Sequence, residues 1–145
     1  MSGMAKRFRY RAAPRIDAKD PYPSAPRIPI LLKGNNGSIE TLGIIDSGAT
    51  ETSVPGWVAE ILGLKRKGEI PIKFPDGMGR GHESSVMISI EMEHGKAVEF
   101  SVPCIILEKG EEVILGRAGF FSRFEITFRE SRKEVVLKQV GLERE

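Results

Sequence analysis

The chain has 145 residues, of which 40% are hydrophobic and 29% are charged, and its formal net charge is only +2. This length suits one domain with its own core, and the small net charge does not favour nucleic acid or acidic lipid as a partner of the whole domain. The single cysteine, Cys104, excludes an intramolecular disulfide and a cysteine-rich zinc module. No apolar run reaches the roughly 18 residues of a membrane span, and the first residues lack the apolar core of a signal peptide. We therefore expect a cytoplasmic protein with no membrane contact.

Residues 1–26 form a basic arm that contains several prolines, and we expect it to be extended or disordered. Its basic residues are Lys6, Arg7, Arg9, Arg11 and Arg15. A solvated tail is the simplest interpretation. One alternative is a strap that Phe8, Tyr10 and Tyr22 anchor on a partner subunit, and another is a weak contact with nucleic acid, for which basic arms are typical.

The folded domain is expected over residues 27–138, followed by a polar tail over 139–145. Ile28, Ile30 and Leu32 alternate with other residues, which predicts a half-buried strand. Residues 33–37 are a turn that ends in Asn-Gly, and residues 39–45 return as a second strand. That strand delivers Asp46 at its end. An acid behind apolar residues costs free energy unless it is hydrogen-bonded or paired, so Asp46 needs a partner.

A short helix over residues 55–62 is predicted next, with Ser53 as its cap and Gly63 as its stop. Its Trp57 is interpreted as a packing residue. A hairpin follows, because Pro75-Asp76-Gly77 is a turn signal in which proline sets φ and glycine accepts positive φ. Three glycines at residues 77, 79 and 81 make its tip permissive, and Met78 at this tip is also interpreted as a packing residue.

The rest of the chain alternates short apolar segments with polar turns. Strands are expected over 97–102, 104–107, 113–117, 124–128 and 134–138, and one or two helical turns over 118–124. Many short strands with at most two short helices predict an all-β barrel or sandwich. Cys104 lies in one of the apolar strands and is interpreted as a core thiol.

Several chemistries fit the residues poorly. His82 and His94 have no Cys or Asp at metal-ligand spacing, so we interpret them as surface histidines and expect no metal site. Ser47 is not in a Gly-x-Ser-x-Gly elbow, and neither histidine has an evident partner for a serine or cysteine nucleophile. No helix pattern follows the glycines of the hairpin tip, so they are not a nucleotide-binding loop.

Chemistry based on two carboxylates fits better. Two aspartates about 3 Å apart share one proton, so that one acts as a general base on water and the other as a general acid. Each should precede a hydroxyl residue that can bond across to the other loop, and a glycine that leaves room for water and substrate. Among Asp17, Asp20, Asp46 and Asp76, only Asp46 is followed by Ser and Gly. The second carboxylate is therefore expected from another copy of the chain, in a homodimer with the site on its two-fold axis.

The segment from Ile44 to Thr50 resembles the Asp-Thr/Ser-Gly-Ala loop of retroviral-type aspartic proteases, the retropepsins. Val113-Ile114-Leu115-Gly116-Arg117 resembles their second signature, in which two apolar residues precede Gly-Arg, and the hairpin at residues 75–81 lies between the two signatures, where that family has its flap. The resemblance covers roughly residues 28–137. Within that family, the chain most resembles the single-domain members of archaea and bacteria and the retropepsin domain of ubiquitin-pathway shuttle proteins.

The resemblance implies a retropepsin-like barrel and a role for each matching residue. It implies that Asp46 of each subunit activates water, Ser47 grips the opposite loop and Gly48 accepts substrate backbone. Substrate-binding residues would be Ala49, Thr50, Glu51, Asp76, Gly77, Met78, Gly79 and Ile114, with Val54 and Ile72 as further pocket candidates. Gly116 and Arg117 would be structural. Thr50 departs from the family, which often has at this position an aspartate that pairs with arginine.

The sequence therefore predicts an aspartic endopeptidase that works as a homodimer on peptide or protein substrates, without cofactor or metal. The alternative is a non-catalytic module of the same fold that binds a peptide or a ubiquitin-like partner.

Overall fold

Strands make up most of the computed structural model, which describes residues 4–15 and 20–141. In chain order they are β1 Ala5–Arg9, β2 Arg11–Ala13, β3 Tyr22–Ala25, β4 Arg27–Gly34, β5 Gly37–Ile45, β6 Thr52–Pro55, β7 Glu69–Phe74, β8 Gly77–Glu91, β9 Ala97–Leu107, β10 Val113–Leu115, β11 Phe124–Arg129 and β12 Glu134–Gln139. The α-helix α1 spans Gly56–Leu62, and short 3-10 turns span Glu93–Gly95, Phe121–Arg123 and Glu130–Arg132. The predicted all-β class with short helices is confirmed.

Six strands close into a barrel. They pair in the order β4-β5-β10-β6-β9-β8, and β8 pairs back onto β4. β7 pairs only with the first part of β8, so the β7–β8 hairpin projects beyond the closed ring. Two smaller sheets complete the fold, in the orders β1-β12-β11 and β2-β3. Closure matters for the site because it fixes the ends of β5 and β10 against each other.

The core lies inside the barrel and follows from the period of two along its strands. Ile28, Ile30 and Leu32 of β4 are at most 4% exposed, as their alternation predicts. The inward residues of β8 and β9 are likewise buried: Val86, Ile88, Ile90, Val98, Phe100, Val102, Cys104 and Ile106. A cluster of aromatic rings closes one end, with ring centroids 5.4–6.1 Å apart among Phe100, Phe120 and Phe124.

The described part of the basic arm is extended and pairs with other segments. β1 runs antiparallel to β12, with Ala5 opposite Lys138, and β2 and β3 form a hairpin. Phe8 and Tyr10 are buried in the core. The arm thus adds a strand and two core side chains to the unit that follows it. Residues 1–3 and 16–19 of the arm, and 142–145 of the polar tail, lie outside the described residues.

Helix α1 begins at Gly56, one residue later than predicted, and no side chain caps it. The expectation that Ser53 caps it is wrong, because Ser53 lies in β6 and Pro55 occupies the N-cap position. Gly63 ends the helix as predicted, with φ 69° and its N–H bonded to carbonyls of the last turn. Trp57 lies on the outer face of α1 and is 47% exposed, so its interpretation as a packing residue is wrong for the single chain.

One continuous strand, β9, replaces the two strands expected over 97–102 and 104–107. Pro103 does not interrupt it. At this position β9 pairs with β8 alone, because pairing with β6 begins at Cys104, and proline is tolerated where a strand is paired on one side only.

Candidate active site

The Asp46 loop begins where β5 ends. β5 and β10 run parallel, with Ile45 beside Leu115. The Asp46 N–H continues this pairing by donating to the Leu115 carbonyl oxygen (3.0 Å). Two apolar strands thus hold the backbone of Asp46 at the edge of the barrel core, since Ile45 and Leu115 are both buried.

The loop folds back on the aspartate that starts it. The Gly48 N–H donates to Asp46 Oδ1 (2.8 Å), and the Ala49 N–H donates to the Asp46 carbonyl oxygen (3.2 Å). This is the local turn that an aspartate side chain favours when it accepts from the backbone two residues later. It orients one carboxylate oxygen and leaves the other without a protein partner in the described part of the chain. Asp46, Ser47 and Gly48 are all exposed.

The segment after β10 clamps the second half of the loop. The Arg117 N–H donates to the Ala49 carbonyl oxygen (2.9 Å), and the Ala118 N–H donates to the Thr50 carbonyl oxygen (2.8 Å). The Arg117 side chain reaches the same loop, because its Nη2 donates to Thr50 Oγ1 (3.3 Å). The hydroxyl of Thr50 therefore receives the arginine contact that the resemblance assigns to an acid at this position.

Gly116 is required by close packing. A Cβ there would collide with the backbone carbonyl of Glu51, and the Gly116 N–H donates to Thr52 Oγ1 (3.3 Å). Thr52 is fully buried, and the sequence interpretation missed it. Thr52 and Ser53 are two hydroxyl residues at the start of the short β6. They are the available signal, since a hydroxyl that becomes buried needs a hydrogen-bond partner.

The remaining candidate substrate-binding residues fall into two groups. Glu51 is exposed on the loop, and Ile114 is half-buried in β10, opposite Ser53. Asp76, Gly77 and Met78 are exposed at the tip of the β7–β8 hairpin. In the described part of the chain no hydrogen bond or ion pair joins this tip to the Asp46 loop. The structure thus joins the two signatures by hydrogen bonds, and within the described residues it shows none between them and the hairpin tip.

The hairpin tip is narrow and its apolar residues are exposed. Gly77 has φ 138°, with open space around it, and Met78 is 68% exposed. The interpretation of Met78 as a packing residue is therefore wrong for the single chain. Phe74 lies over Gly79 so closely that any side chain there would displace the ring.

Four cavities of the described part of the chain lie away from the Asp46 loop. Four cavities have volumes of about 630, 400, 450 and 430 Å³, and Asp46 lines none of them. The cavity of 630 Å³ lies between β1 and the turn after β8, where no residue of either signature is found. Asp46 is thus exposed and lies outside these four cavities, and substrate pockets usually enclose most of their ligand.

Other chemistries find little support. In residues 4–15 and 20–141, no three His, Cys, Asp or Glu side chains come together as metal ligands. His82 is half-buried, 3.5 Å from Glu108, and His94 is exposed. Burial raises the pKa of the Cys104 thiol to about 12, so it is a poor nucleophile at neutral pH. No helix in the described segments is long and apolar enough to cross a membrane.

Comparison with known proteins identifies a family and a fold that match this chain. A family model described as "Aspartyl protease" matches residues 32–118, more than half of the chain and a span that holds both signatures and the hairpin. Eighteen chains of solved structures match. One is the crystal structure of a retropepsin-like aspartic protease from Rickettsia conorii, with a TM-score of 0.54 and 15% identity, covering 98% of this chain and 97% of that chain. At this identity the match shows the fold, which is retropepsin-like. No curated protein matches the chain.

Proposed function

Because this chain belongs to the aspartyl protease family, we propose that it is an aspartic endopeptidase whose active site forms between two copies, with one Asp46 from each. The observation that supports the proposal is that Asp46 of a single chain is held in a fixed orientation and is exposed. Its backbone is fixed by β10 and one carboxylate oxygen by Gly48, yet the carboxylate is exposed and lies outside the four cavities. Such a group is oriented for chemistry but lacks its partner.

Two such carboxylates at a two-fold axis form a complete catalytic pair. Held about 3 Å apart they share one proton, because both cannot ionise easily. The ionised member takes a proton from water as the water oxygen attacks the peptide carbonyl carbon, and the protonated member gives its proton to the carbonyl oxygen. Transfer of a proton to the amide nitrogen then accompanies cleavage of the C–N bond. The reaction needs neither a covalent intermediate nor a metal.

In the proposed dimer, the residues beside Asp46 line a cleft for an extended peptide. Gly48 has no side chain to block approach, and Ala49, Thr50 and Glu51 continue along the loop beside it. In the proposed complex the hairpin tip, with Asp76, Gly77, Met78 and Gly79, closes over the substrate, and Ile114 contributes to a side-chain pocket. Ser47 bonds to the opposite loop. The open space around Gly77 is compatible with movement of the tip.

An Asp46→Asn variant tests this proposal. It keeps the shape of the side chain and an acceptor for the Gly48 N–H, but it cannot supply a shared proton. We expect loss of peptide cleavage, by about 10³-fold or more on the scale of removing a general acid–base group, with the oligomeric state unchanged. Asp20→Asn is the matched control, since Asp20 is also exposed, and it should cleave normally.

The same assay separates the proposal from its alternative. If the wild-type dimer binds peptides but does not cleave them at any pH between 3 and 8, the chain is a binding module of this fold. Cleavage that survives in Asp46→Asn would assign the chemistry to other residues. A cytoplasmic location stays a prediction from the sequence.

A further inference from the structure

The cavity of about 400 Å³ lies beside the middle of β8, between the end of β4 and the segment that joins α1 to β7. Three of the residues that line it are lysines, Lys33, Lys65 and Lys67, and none is Asp or Glu. Lys33 also pairs with Glu99, so the charge available to a ligand is mainly that of Lys65 and Lys67. A cavity of this volume is within the range of small-molecule sites, and its charge favours an anion.

The segment between α1 and β7 holds its two lysines at the cavity. The Lys67 N–H donates to the Glu83 carbonyl oxygen (2.9 Å), which fixes this segment against β8. Arg66, between the two lysines, pairs instead with Glu108, which does not line the cavity. Among the described residues no acid lies within ion-pair distance of Lys65 or Lys67. Their exposed ammonium groups are therefore available to a ligand.

The backbone of Ser85 faces the same gap. Glu83 exchanges both of its backbone hydrogen bonds with residues 67–68, and Met87 pairs with Lys33 of β4. Alternate residues of a strand direct their backbone groups to the same side, so Ser85 faces this side too. In the described part of the chain no backbone hydrogen bond joins Ser85 to the segment before β7, and the pairing with β4 ends at Met87. The Ser85 N–H and C=O thus point into the gap that the cavity occupies.

A second serine at the cavity has an unsatisfied hydroxyl. Ser84 lines the cavity and is 7% exposed, and within the described residues its buried Oγ has no hydrogen-bond partner. The Cys104 thiol lies opposite on β9, but sulfur is only a weak hydrogen-bond partner. Buried hydroxyl groups are normally satisfied, so this one favours a polar ligand group at the cavity.

We propose that this cavity binds a phosphate group, carried by a small phosphomonoester or present as the free ion. Lys65 and Lys67 supply charge-assisted hydrogen bonds, in which lysine is a common partner of phosphate. The Ser85 N–H donates to a phosphate oxygen, and its carbonyl oxygen accepts from the P–OH group of singly protonated phosphate. The Ser84 hydroxyl gains a partner in the same group. The proposal is independent of the peptidase and does not involve Asp46.

The rest of the cavity wall is partly apolar. Leu64 and Val86 are buried and Met87 is half-buried, and all three line the cavity. An apolar group attached to the phosphate would remove part of this surface from water, which stabilises the complex in proportion to the apolar area buried. We therefore expect a phosphomonoester with an apolar body to bind more tightly than inorganic phosphate.

The other three cavities of the described chain are unsuited to an anion. The cavity of 630 Å³ contains Lys6, Arg7 and Arg129, but Glu91 and Glu93 line it too. The cavities of 450 and 430 Å³ are lined by glutamates and by no Lys or Arg. Of these four cavities, only the one beside Ser85 combines lysines with the absence of acids.

Calorimetric titration of the full chain with inorganic phosphate and with phenyl phosphate tests the site. Low ionic strength is needed, because salt screens exposed charges. We expect one site per chain, and Lys65→Met and Lys67→Met should each raise the dissociation constant about tenfold, as loss of a charged hydrogen bond does. Lys96→Met is the matched control, since it removes the same charge at an exposed position outside the cavity, and its affinity should be unchanged.

The two probes distinguish the two sources of the phosphate group. Tighter binding of phenyl phosphate supports a phosphomonoester as the ligand, and equal affinities support the free ion. The proposal is overturned if neither probe binds at millimolar concentration, or if Lys65→Met and Lys67→Met bind as tightly as Lys96→Met.

Amide spectra of the ¹⁵N-labelled protein test the location independently. The Ser85 N–H resonance should shift on addition of inorganic phosphate, with the same dissociation constant as in calorimetry, and Asp46→Asn should show the same shift. Phosphate-dependent shifts that leave Ser85 unchanged and appear elsewhere would overturn the assignment to this cavity.

Discussion

Arg27 and Glu112 form a two-point ion pair that joins segments 85 residues apart, with Arg27 Nε 2.6 Å from Glu112 Oε1 and Nη2 3.0 Å from Oε2. Arg27 is only 3% exposed, and its Nη1 donates also to the carbonyl oxygens of Arg11 and Pro23 (2.8 Å each). One guanidinium thus connects the β2–β3 hairpin of the arm to the residue before Val113, where β10 begins.

Removing this guanidinium should destabilise the protein markedly. In Arg27→Met the carboxylate of Glu112 and two carbonyl oxygens lose their partner, and breaking a buried pair from one side costs about 3 kcal/mol or more. Lys33→Met is the control, because Lys33 and Glu99 are each 42% exposed and such surface pairs contribute less than about 1 kcal/mol. Denaturant unfolding gives both values, and equal losses would show that burial does not set the strength of the Arg27 pair.

Local patterns along the chain were sufficient to predict most strands. The alternation in β4 predicted its inward face, because a half-buried strand has a period of two. The Pro75-Asp76-Gly77 signal predicted the β7–β8 turn, since each residue type has a conformational reason to be there. These predictions succeed because strand periodicity and turn conformation are determined by residues that are adjacent in the sequence.

Pairing between distant segments had no such local signal. Nothing within β5 indicates that Ile45 lies beside Leu115, and the pairing of β5 with β10 was not predicted. The pairing of β1 with β12 was missed, although Phe8 and Tyr10 alternate with arginines in the way a half-buried strand requires. The number of arginines and prolines favoured a solvated arm, and tertiary packing overrode that composition.

Candidate site residues were predictable to the extent that they belong to a motif. Asp46, Gly116 and Arg117 lie together because their motifs end two parallel strands. Thr52 was not predicted, since its role depends on the N–H of Gly116, which is far away in the sequence. The exposure of Trp57 was also not predicted, because its apolar side chain favoured burial, whereas α1 buries Val58 and Leu62 instead.

Gly116→Ala should damage both stability and the candidate site. The added Cβ meets the Glu51 carbonyl, a backbone group that cannot move aside cheaply, and overpacking of this kind costs about 1–3 kcal/mol. The shift also disturbs the clamp on the Asp46 loop, so peptide cleavage should fall by more than the loss of folded protein explains. Unfolding and cleavage measured on the same sample separate the two effects.

Gly68→Ala is the matched control for that variant. Its Cβ would meet only the end of the Glu83 side chain at 3.4 Å, and its backbone does not require positive φ. We expect a change within about 0.5 kcal/mol, as for ordinary surface sites. A Gly116→Ala protein as stable and active as Gly68→Ala would contradict the close packing of β10 against the loop.

Cys104 should be unreactive in the folded protein. Burial raises its pKa to about 12, so at pH 8 roughly one thiol in ten thousand is ionised, and the side chain is 1% exposed. A thiol reagent should therefore label the protein only after denaturation. Ser101→Cys places a thiol at an exposed position of the same strand and should be labelled within minutes. Rapid labelling of native Cys104 would show that β9 opens readily.

Arg66 and Glu108 should make stability depend on pH in the acid range. Arg66 Nε donates to Glu108 Oε2 (2.8 Å), and this hydrogen bond lowers the pKa of Glu108 below its usual 4.5, with a further contribution from His82. A lowered carboxylate pKa stabilises the fold above the usual value, and the contribution is lost as the pH falls through the folded value. The deficit of Arg66→Met should thus be present at pH 7 and shrink below about pH 4.5.

The nearby charges determine the control for this experiment. Glu60 also attracts Arg66, and His82 lies 3.5 Å from Glu108, so Arg66→Met changes more than one interaction. In a Glu108→Gln background the carboxyl no longer titrates, and Arg66→Met should then cost the same free energy of unfolding at pH 7 and at pH 3.5. Denaturant unfolding at several pH values in both backgrounds gives the comparison. A deficit that still shrinks with acid in the Glu108→Gln background would assign the pH dependence to Glu60 or His82 instead of Glu108.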